Sequence, residues 1–126
     1  MKEVIFTPHA PAPIGPYSQA ILIQNTLYIS GQIAINPISN QLINSSITDE
    51  TIQVLENLKQ VLLAASMDFD HVVKTSIFLK NMDDFAVVNQ IYGEYFTTNY
   101  PARETVAVRT LPKDVNVEIS SIAIKY

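Results

Sequence analysis

The chain has 126 residues, the length of one ordinary domain, and 48% of them are hydrophobic against 16% charged, which argues against wholesale disorder. A net charge of −4 argues against a broad basic surface for nucleic acid or anionic lipid. The absence of cysteine excludes disulfides, thiolate metal sites and cysteine nucleophiles.

No repeat, low-complexity tract or charged linker divides the sequence, so it predicts a single domain, residues 1–126. The N-terminal segment lacks the continuous apolar stretch of a signal peptide. No window approaches the roughly 18 apolar residues that a membrane-spanning helix needs. We therefore expect a cytoplasmic protein without a membrane partner.

The first part of the chain predicts strands on either side of a proline-rich loop. Residues 2–6 ("KEVIF") are typical of a short strand. Residues 9–17 ("HAPAPIGPY") must form a loop, because proline removes backbone donors and restricts the residue before it. Two apolar runs within residues 20–30 predict a hairpin with its turn near Gln24, and irregular residues 31–46 follow.

The second part of the chain predicts two helices and three strands. Thr48 is the expected N-cap of the first helix, which should end near Ser66. Asp83 or Asp84 is the expected cap of the second helix. The strands are predicted at residues 72–80, 102–109 and 115–125. The positions expected on the buried helix faces are Ile52, Leu55, Leu58, Leu62 and Ala65 in the first helix and Phe85, Val88, Ile91, Tyr92 and Tyr95 in the second.

This order of elements predicts an α+β fold in which two helices pack on one face of a mixed sheet. Side chains alternate between the two faces of a strand, so one face of the last strand is predicted to be half apolar and half polar. Exposed apolar patches usually mark interfaces, and we therefore expect an oligomer in which a partner subunit covers that face. The residues of this face are Asn116, Glu118, Ser120, Ile122 and Ile124.

Two charged residues stand inside runs that otherwise read as strands. Arg103 offers a rigid fork of donors that matches a carboxylate, but it could also be a surface residue or an ion-pair partner of Glu118. Glu118 lies between Val117 and Ile119, where burial would raise its pKa toward acid–base use, unless it is a paired structural glutamate. Together the two residues suggest a site that binds an anion and transfers protons.

Other candidate residues carry weaker signals. Tyr17 could stack over a small ligand or belong to the core, and Ser30-Gly31 could be a strand exit with exposed amides or a bulge. His9 and His71 are expected to be surface or capping residues. No group of histidine and acidic residues has the spacing of metal ligands, so we expect no metal.

Five stretches of the sequence resemble the reactive intermediate deaminase (Rid, or YjgF-like) family. They occur in the order and with the spacing found in that family, and together they cover nearly the whole chain. The last stretch, proline-alanine-arginine followed by a leucine-proline turn and then glutamate, is the signature region of that family. The resemblance implies a chorismate-mutase-like α+β fold, assembled as a homotrimer whose sheets line a central barrel, with clefts between neighbouring subunits. The five stretches are residues 10–20, 27–37, 53–66, 72–96 and 101–124.

The activity that the resemblance implies is hydrolysis of reactive 2-imino acids or their enamine tautomers, such as 2-iminobutanoate and 2-iminopropanoate, to 2-oxo acids and ammonia. No cofactor is expected, and the expected partners are the 2-imino and 2-oxo acids. One alternative is a non-catalytic carboxylate-binding or regulatory protein, as suggested for some relatives in purine metabolism. The ribonuclease or translation-inhibitor activity of other relatives finds little support in an acidic chain, so no nucleic acid is expected.

The resemblance also assigns roles to individual residues. Arg103 matches the arginine that holds the substrate carboxylate, and Glu118 matches the glutamate that orients or activates the hydrolytic water. Tyr17 matches a tyrosine near the substrate, and Ser30 and Gly31 match a serine-glycine pair at the cleft. The remaining matches are Asn89, an asparagine counted in the site, and Thr105, a position of which only the backbone is expected to matter.

Three residues depart from the family pattern, of which Thr105 stands at a position that is cysteine in some members. Glu104 stands where a small residue is usual, and it adds a negative charge next to Arg103, although alternation directs it to the other face. Ser66 replaces the usual glycine after the first helix, at a position where a left-handed backbone favours glycine.

Overall fold

The predicted strands form one six-stranded sheet in the computed structural model, which describes all 126 residues. The strands are β1 (Lys2–Ile5), β2 (Ala20–Ile23), β3 (Thr26–Gln32), β4 (Val72–Leu79), β5 (Ala102–Ala107) and β6 (Val117–Ile124). They lie side by side in the order β1-β2-β3-β6-β4-β5. All neighbouring pairs are antiparallel except the parallel pair β4–β5, so the sheet is mixed as predicted.

Two helices, α1 (Ile47–Ala64) and α2 (Phe85–Tyr95), cover one face of this sheet and also contact each other. A core of 23 buried residues lies between the helices and the sheet. The predicted α+β fold class is therefore confirmed. Neither helix combines the length and the apolar character that crossing a bilayer requires.

The N-terminus of α1 lies two residues earlier than predicted. Ser46, not Thr48, is the N-cap, because its extended backbone lets its hydroxyl oxygen accept a hydrogen bond from the Asp49 N–H at 3.0 Å. At the other end Ser66 adopts a left-handed backbone with φ of 58°, as the family pattern implies for this position. A residue with a side chain is strained there by about 1 kcal/mol.

The buried face of α1 is more polar than the sequence predicts. Leu55, Leu58 and Leu62 are fully buried as expected, but the prediction for Ile52 is wrong, since that side chain is 36% exposed. Ile52 lies at the border of the buried face of α1. Near the start of the helix, that face includes the polar residues Glu50 and Thr51. The polar residues that this helix buries are Glu50, Thr51 and Asn57.

The start of α2 also differs from the prediction. Asp84 occupies the N-cap position, as one of the two predicted alternatives, but neither Asp83 nor Asp84 makes a side-chain hydrogen bond that caps the helix. The amide oxygen of Asn81 instead accepts a hydrogen bond from the Asp83 N–H at 2.8 Å, which caps a short 3-10 turn that leads into α2. The buried residues of α2 are Val88, Ile91 and Tyr92, while Phe85 and Tyr95 are half-buried.

The last two strands are shorter than predicted because the connection between them is irregular. β5 ends at Ala107 and β6 begins at Val117. Within the connection Lys113 and Asp114 both have left-handed backbones, with φ of 53° and 54°. The two residues lie between the predicted strands, at the leucine-proline turn, and the irregular connection extends about two residues into the predicted range of each strand.

The face of the sheet opposite the helices is bare and exposes several large apolar side chains among polar ones. Its side chains alternate with the buried ones along each strand, as predicted for β6. The large apolar residues on this face that are at least 36% exposed are Val4, Ile23, Tyr28, Val106 and Ile124. A single chain leaves this surface in contact with water.

Candidate active site

Arg103 and Glu118 lie on opposite faces of the sheet. Arg103 on β5 is the register partner of Thr75, whose side chain is fully buried under the helices. Glu118 on β6 is the register partner of Phe78, which alternates with the buried positions of β4 and faces away from the helices. Strand β4 also separates the two residues, so the alternative of an ion pair between them within one chain is wrong.

Glu118 lines a cavity of about 550 Å³. The same cavity is lined by Tyr17, Ser30 and Gly31, so the structure brings together four of the residues that the sequence singled out. Its remaining walls come from the proline-rich loop, the end of β3 and the residues after it, and the turn before β6. The cavity is thus built from segments that are distant in sequence.

The carboxylate of Glu118 is half-buried and has no hydrogen-bond or ion-pair partner within the chain. Burial raises the pKa of Glu118, because the low-dielectric surroundings penalise its charged form. An unpaired carboxylate in a cavity is free to accept a proton from a bound molecule. This is the property that a general base needs.

Gly31 is the residue that leaves room for this carboxylate. A Cβ atom at position 31 would lie 2.6 Å from Glu118 Oε2 and 2.8 Å from its Cδ, well inside van der Waals contact. The backbone of Gly31 is not left-handed, so an alanine there is not strained by its conformation. A side chain at position 31 would therefore force the Glu118 carboxylate to shift.

Replacing Gly31 by alanine should displace the Glu118 carboxylate while leaving the fold intact. Because a displacement of about 1 Å can lower a catalytic rate a hundredfold, we expect kcat for imine hydrolysis to fall at least about tenfold in Gly31→Ala. The melting temperature should stay close to that of the wild-type protein. A Gly31→Ala protein with unchanged kcat would contradict the role given to this contact.

Tyr17 and Ser30 are each held at the cavity by a hydrogen bond to the backbone of the proline-rich loop or its flanking residue. Tyr17 is 52% exposed, so the core interpretation of this residue is wrong, and its hydroxyl oxygen accepts a hydrogen bond from the Ile14 N–H at 3.3 Å. The Ser30 hydroxyl donates to the Ser18 carbonyl at 2.6 Å. It retains its capacity to accept a hydrogen bond from a ligand.

Gln19 fixes the proline-rich wall of the cavity and was not predicted. This side chain is 2% exposed. Its amide oxygen accepts from the Thr7 N–H at 2.7 Å, and its amide nitrogen donates to the carbonyls of Thr7, Ala10 and Pro11 at 3.0, 3.3 and 2.9 Å. Residues 8–17 contain four prolines and so have few backbone donors of their own, and one buried side chain takes their place.

Two buried polar residues of α1 fix other parts of the cavity. The Asn57 amide donates to the carbonyls of Ile33 and Ile35 at 3.0 and 2.9 Å, which holds the segment after β3. The Glu50 carboxylate accepts from the backbone N–H and the side-chain amide of Asn116, both at 2.8 Å, which holds the start of β6. The signal that could have found them is their seven-residue spacing, which places both on the helix face that carries the apolar stripe.

Arg103 lies at a second cavity, of about 440 Å³, which Asn89 also lines. The Arg103 Nη1 donates to the Asn89 amide oxygen at 2.8 Å, and its guanidinium lies 4.9 Å from the ring centre of Tyr92 and 5.7 Å from that of Phe85. No carboxylate lies within ion-pair distance of Arg103. All of its partners are neutral, so its charge remains available for an anion.

Glu104 does not compensate the charge of Arg103. On the opposite face of β5 its carboxylate accepts a hydrogen bond from the Ser76 hydroxyl and lies 3.0 Å from the ammonium of Lys74. The hydrogen bond from Ser76 is the main cause that lowers the pKa of Glu104, and the interaction with Lys74 lowers it further. This departure from the family pattern is thus explained by a local pair that leaves Arg103 free.

Thr105 has no contact that assigns it a role through its side chain. Its hydroxyl is buried without a hydrogen-bond partner, and it lines neither cavity.

His71 accepts a hydrogen bond from the Asp68 N–H at 3.1 Å and is a capping residue as predicted. No three histidine, aspartate or glutamate side chains converge as metal ligands do.

The fold and the two cavities define a small α+β protein with an unpaired arginine and an unpaired carboxylate at separate sites. A profile of the family described as Endoribonuclease L-PSP matches residues 7–125. The RutC family protein of Pyrococcus horikoshii is 53% identical over 125 residues, which are 99% of each chain. The 2-iminobutanoate/2-iminopropanoate deaminase of Homo sapiens is 46% identical over 125 residues, which are 99% of this chain and 91% of the human one.

A solved structure agrees over the same length. The crystal structure of YyfA from Yersinia pestis, of the Rid family, is 48% identical, covers 99% of this chain and 100% of its own, and has a TM-score of 0.96. The chain therefore belongs to the endoribonuclease L-PSP family, the group that includes the Rid and YjgF proteins, as the resemblance implied.

Proposed function

We propose that the protein hydrolyses reactive 2-imino acids, or their enamine tautomers, to 2-oxo acids and ammonia. The observation that carries this proposal is the half-buried, unpaired carboxylate of Glu118, whose pKa burial raises. The unpaired guanidinium of Arg103 supports it, because such a substrate always carries a carboxylate next to the reacting carbon. The deaminase name of the human relative gives independent support.

The mechanism uses the two residues for different tasks. The guanidinium of Arg103 binds the substrate carboxylate through two parallel hydrogen bonds and so fixes the adjacent C2 carbon. Glu118 accepts a proton from a water molecule as the water oxygen attacks C2 of the protonated imine. The resulting carbinolamine receives that proton on its nitrogen. Glu118 then accepts the proton of the carbinolamine hydroxyl as the C=O bond forms and the C–N bond breaks, so that ammonia and a 2-oxo acid leave. The protonated Glu118 returns this last proton to ammonia or to solvent. An imine is already electrophilic, so positioning and proton transfer suffice and no cofactor takes part.

We also propose that each site is formed by two copies of the chain. Within one chain Arg103 and Glu118 lie on opposite faces of the sheet, so one carboxylate-bearing substrate cannot reach both. The bare apolar face supports an assembly in which a second copy covers it. In the proposed homotrimer the sheets line a central barrel, and each cleft takes Arg103 from one subunit and Glu118 from its neighbour.

Mixing two inactive variants tests this assembly. If Arg103→Ala and Glu118→Gln chains are denatured together and refolded at equal concentrations, random assortment leaves about one quarter of the clefts with both intact groups. We expect about one quarter of the wild-type activity in this mixture and no more than about one hundredth of it when each variant is refolded alone. Absence of recovery, with mixed oligomers demonstrated by a tag on one variant, would contradict a site shared between subunits.

The activity itself is tested with 2-iminobutanoate generated in situ from threonine by a threonine dehydratase. We expect the protein to accelerate the formation of 2-oxobutanoate above the spontaneous rate. Binding of 2-oxobutanoate without any acceleration would instead support the alternative of a non-catalytic carboxylate-binding protein. Spontaneous hydrolysis is measured with bovine serum albumin in place of the protein.

A further inference from the structure

Tyr92 is the residue on which the contacts behind Arg103 converge. Its ring centre lies 4.9 Å from the guanidinium carbon of Arg103, within the range of a cation–π interaction. Its hydroxyl makes a buried hydrogen bond with the Thr75 hydroxyl at 2.8 Å. Its ring also stacks on Phe96, with ring centres 4.4 Å apart and an angle of 25° between the planes. Tyr92 is thus in contact with the arginine, the sheet and the core.

These contacts hold the ring at fixed distance from Arg103. Thr75 is fully buried on β4 and is the register partner of Arg103 on β5. The strand pair that carries Arg103 therefore also anchors the hydroxyl of Tyr92, while the stack on Phe96 prevents rotation of the ring. Burial raises the pKa of Tyr92, so the phenol stays neutral near pH 7 and acts through its ring and its hydrogen bond.

Arg103 needs such support because of its place in the fold. It belongs to β5, an edge strand that pairs on one side only, and its own side chain is exposed. A free arginine side chain samples many rotamers. Binding a carboxylate restricts the side chain to one of them, and the lost conformational entropy weakens binding. Asn89 fixes one guanidinium nitrogen, and Phe85 lies farther away than Tyr92, at 5.7 Å. The ring of Tyr92 is therefore the nearest aromatic contact of the guanidinium, at 4.9 Å.

We propose that Tyr92, anchored by Thr75, is a positioning residue that orients the Arg103 guanidinium toward the carboxylate of the substrate. This inference rests on the proposed function, and it adds that affinity for the carboxylate depends on a residue that acts through Arg103, beside which it lines the second cavity. The residue acts before any chemistry occurs, so its loss should change substrate binding more than turnover.

Three variants separate the ring from its hydroxyl. Tyr92→Leu removes the ring, and we expect KM for 2-iminobutanoate to rise about tenfold while kcat falls less than about threefold. Tyr92→Phe and Thr75→Val keep the ring and remove its anchor, and each should raise KM only about threefold. The dissociation constant of 2-oxobutanoate, measured by calorimetry, should rise by the same factors as KM.

A matched control distinguishes positioning from a general loss of packing. Phe69→Leu removes a ring from the same aromatic cluster, where Phe69 contacts Phe96 at 5.0 Å between ring centres but does not contact Arg103. We expect this variant to have a lower melting temperature with unchanged KM. If Tyr92→Leu does not fold, Tyr92→Phe and Thr75→Val still give the predicted rise in KM.

The outcomes separate this inference from the proposed function. An active wild-type protein whose KM and 2-oxobutanoate affinity stay within twofold in all three variants would overturn the role of Tyr92 alone. A wild-type protein that binds 2-oxobutanoate without hydrolysing imines would remove the proposed function, and the binding constants of the variants would still decide the role of Tyr92. A wild-type protein that neither binds 2-oxobutanoate nor hydrolyses imines would overturn both the role of Tyr92 and the proposed function.

Discussion

Replacing Arg103 by alanine is expected to lower kcat/KM for 2-iminobutanoate about a thousandfold, because it removes a bidentate, charge-assisted pair of hydrogen bonds to the substrate carboxylate. The guanidinium has no acidic partner within the chain, so its loss leaves no buried charge unpaired. The melting temperature should therefore change little. The measurement is the rate of 2-oxobutanoate formation from imine generated in situ.

Two further variants sharpen the test of Arg103. Arg103→Lys keeps the positive charge but loses the planar fork and its contact with the ring of Tyr92, so we expect kcat/KM about a hundredfold below wild type. Arg109→Ala removes an exposed arginine from the segment just after β5 and should leave the rate unchanged. Full activity in Arg103→Ala would exclude the proposed mechanism.

Replacing Glu118 by glutamine should lower kcat about a hundredfold and change KM less than about threefold, because the amide cannot accept a proton from water. The wild-type rate should fall as the pH drops through the pKa of Glu118, which burial places above its ordinary value of 4.5. This acidic limb should be missing from the residual rate of Glu118→Gln. Measuring kcat between pH 4 and pH 8 tests both statements.

The same pKa shift predicts how Glu118 affects stability. Because the folded protein holds this proton more tightly than the unfolded chain, folding is favoured below the ordinary pKa of 4.5, and that advantage is lost as the pH rises through the raised value. Glu118→Gln should therefore melt at a higher temperature than wild type at pH 7 and show no such gain at pH 4. Glu3→Gln, the same change at an exposed position of β1, should alter neither kcat nor the melting temperature. A less stable Glu118→Gln protein at pH 7 would contradict the unpaired state of this carboxylate.

Much of the fold followed from local patterns. Alternation and helical spacing predicted every strand and helix, because each of these patterns reports burial on one side of a single element. The errors lie at element ends, where hydrogen bonds decide the boundary. Ser46 replaces Thr48 as the N-cap because its side chain reaches the Asp49 N–H, and Ile52 is exposed because the stripe of α1 begins with polar residues.

The arrangement of the site could be predicted only in part. Arg103 and Glu118 were recognisable as unusual strand residues, and alternation predicted the face of Glu118. Their separation in the sheet depends on the insertion of β4 between β5 and β6, which no local pattern specifies. The buried amides and carboxylate that shape the cavity bond to backbone groups far away in sequence. Glu50, for example, contacts Asn116 across 66 residues. Such contacts can be recognised only once the chain has folded.

The placement of Arg103 and Glu118 on opposite faces has a consequence for gene dosage. In the proposed trimer each chain contributes its arginine to one cleft and its glutamate to another. A chain that has lost both groups therefore inactivates two of the three clefts, even when its two companions are intact. Defective copies would suppress activity out of proportion to their number, so that a mixture with equal numbers of defective and intact chains would retain about one quarter of the full activity.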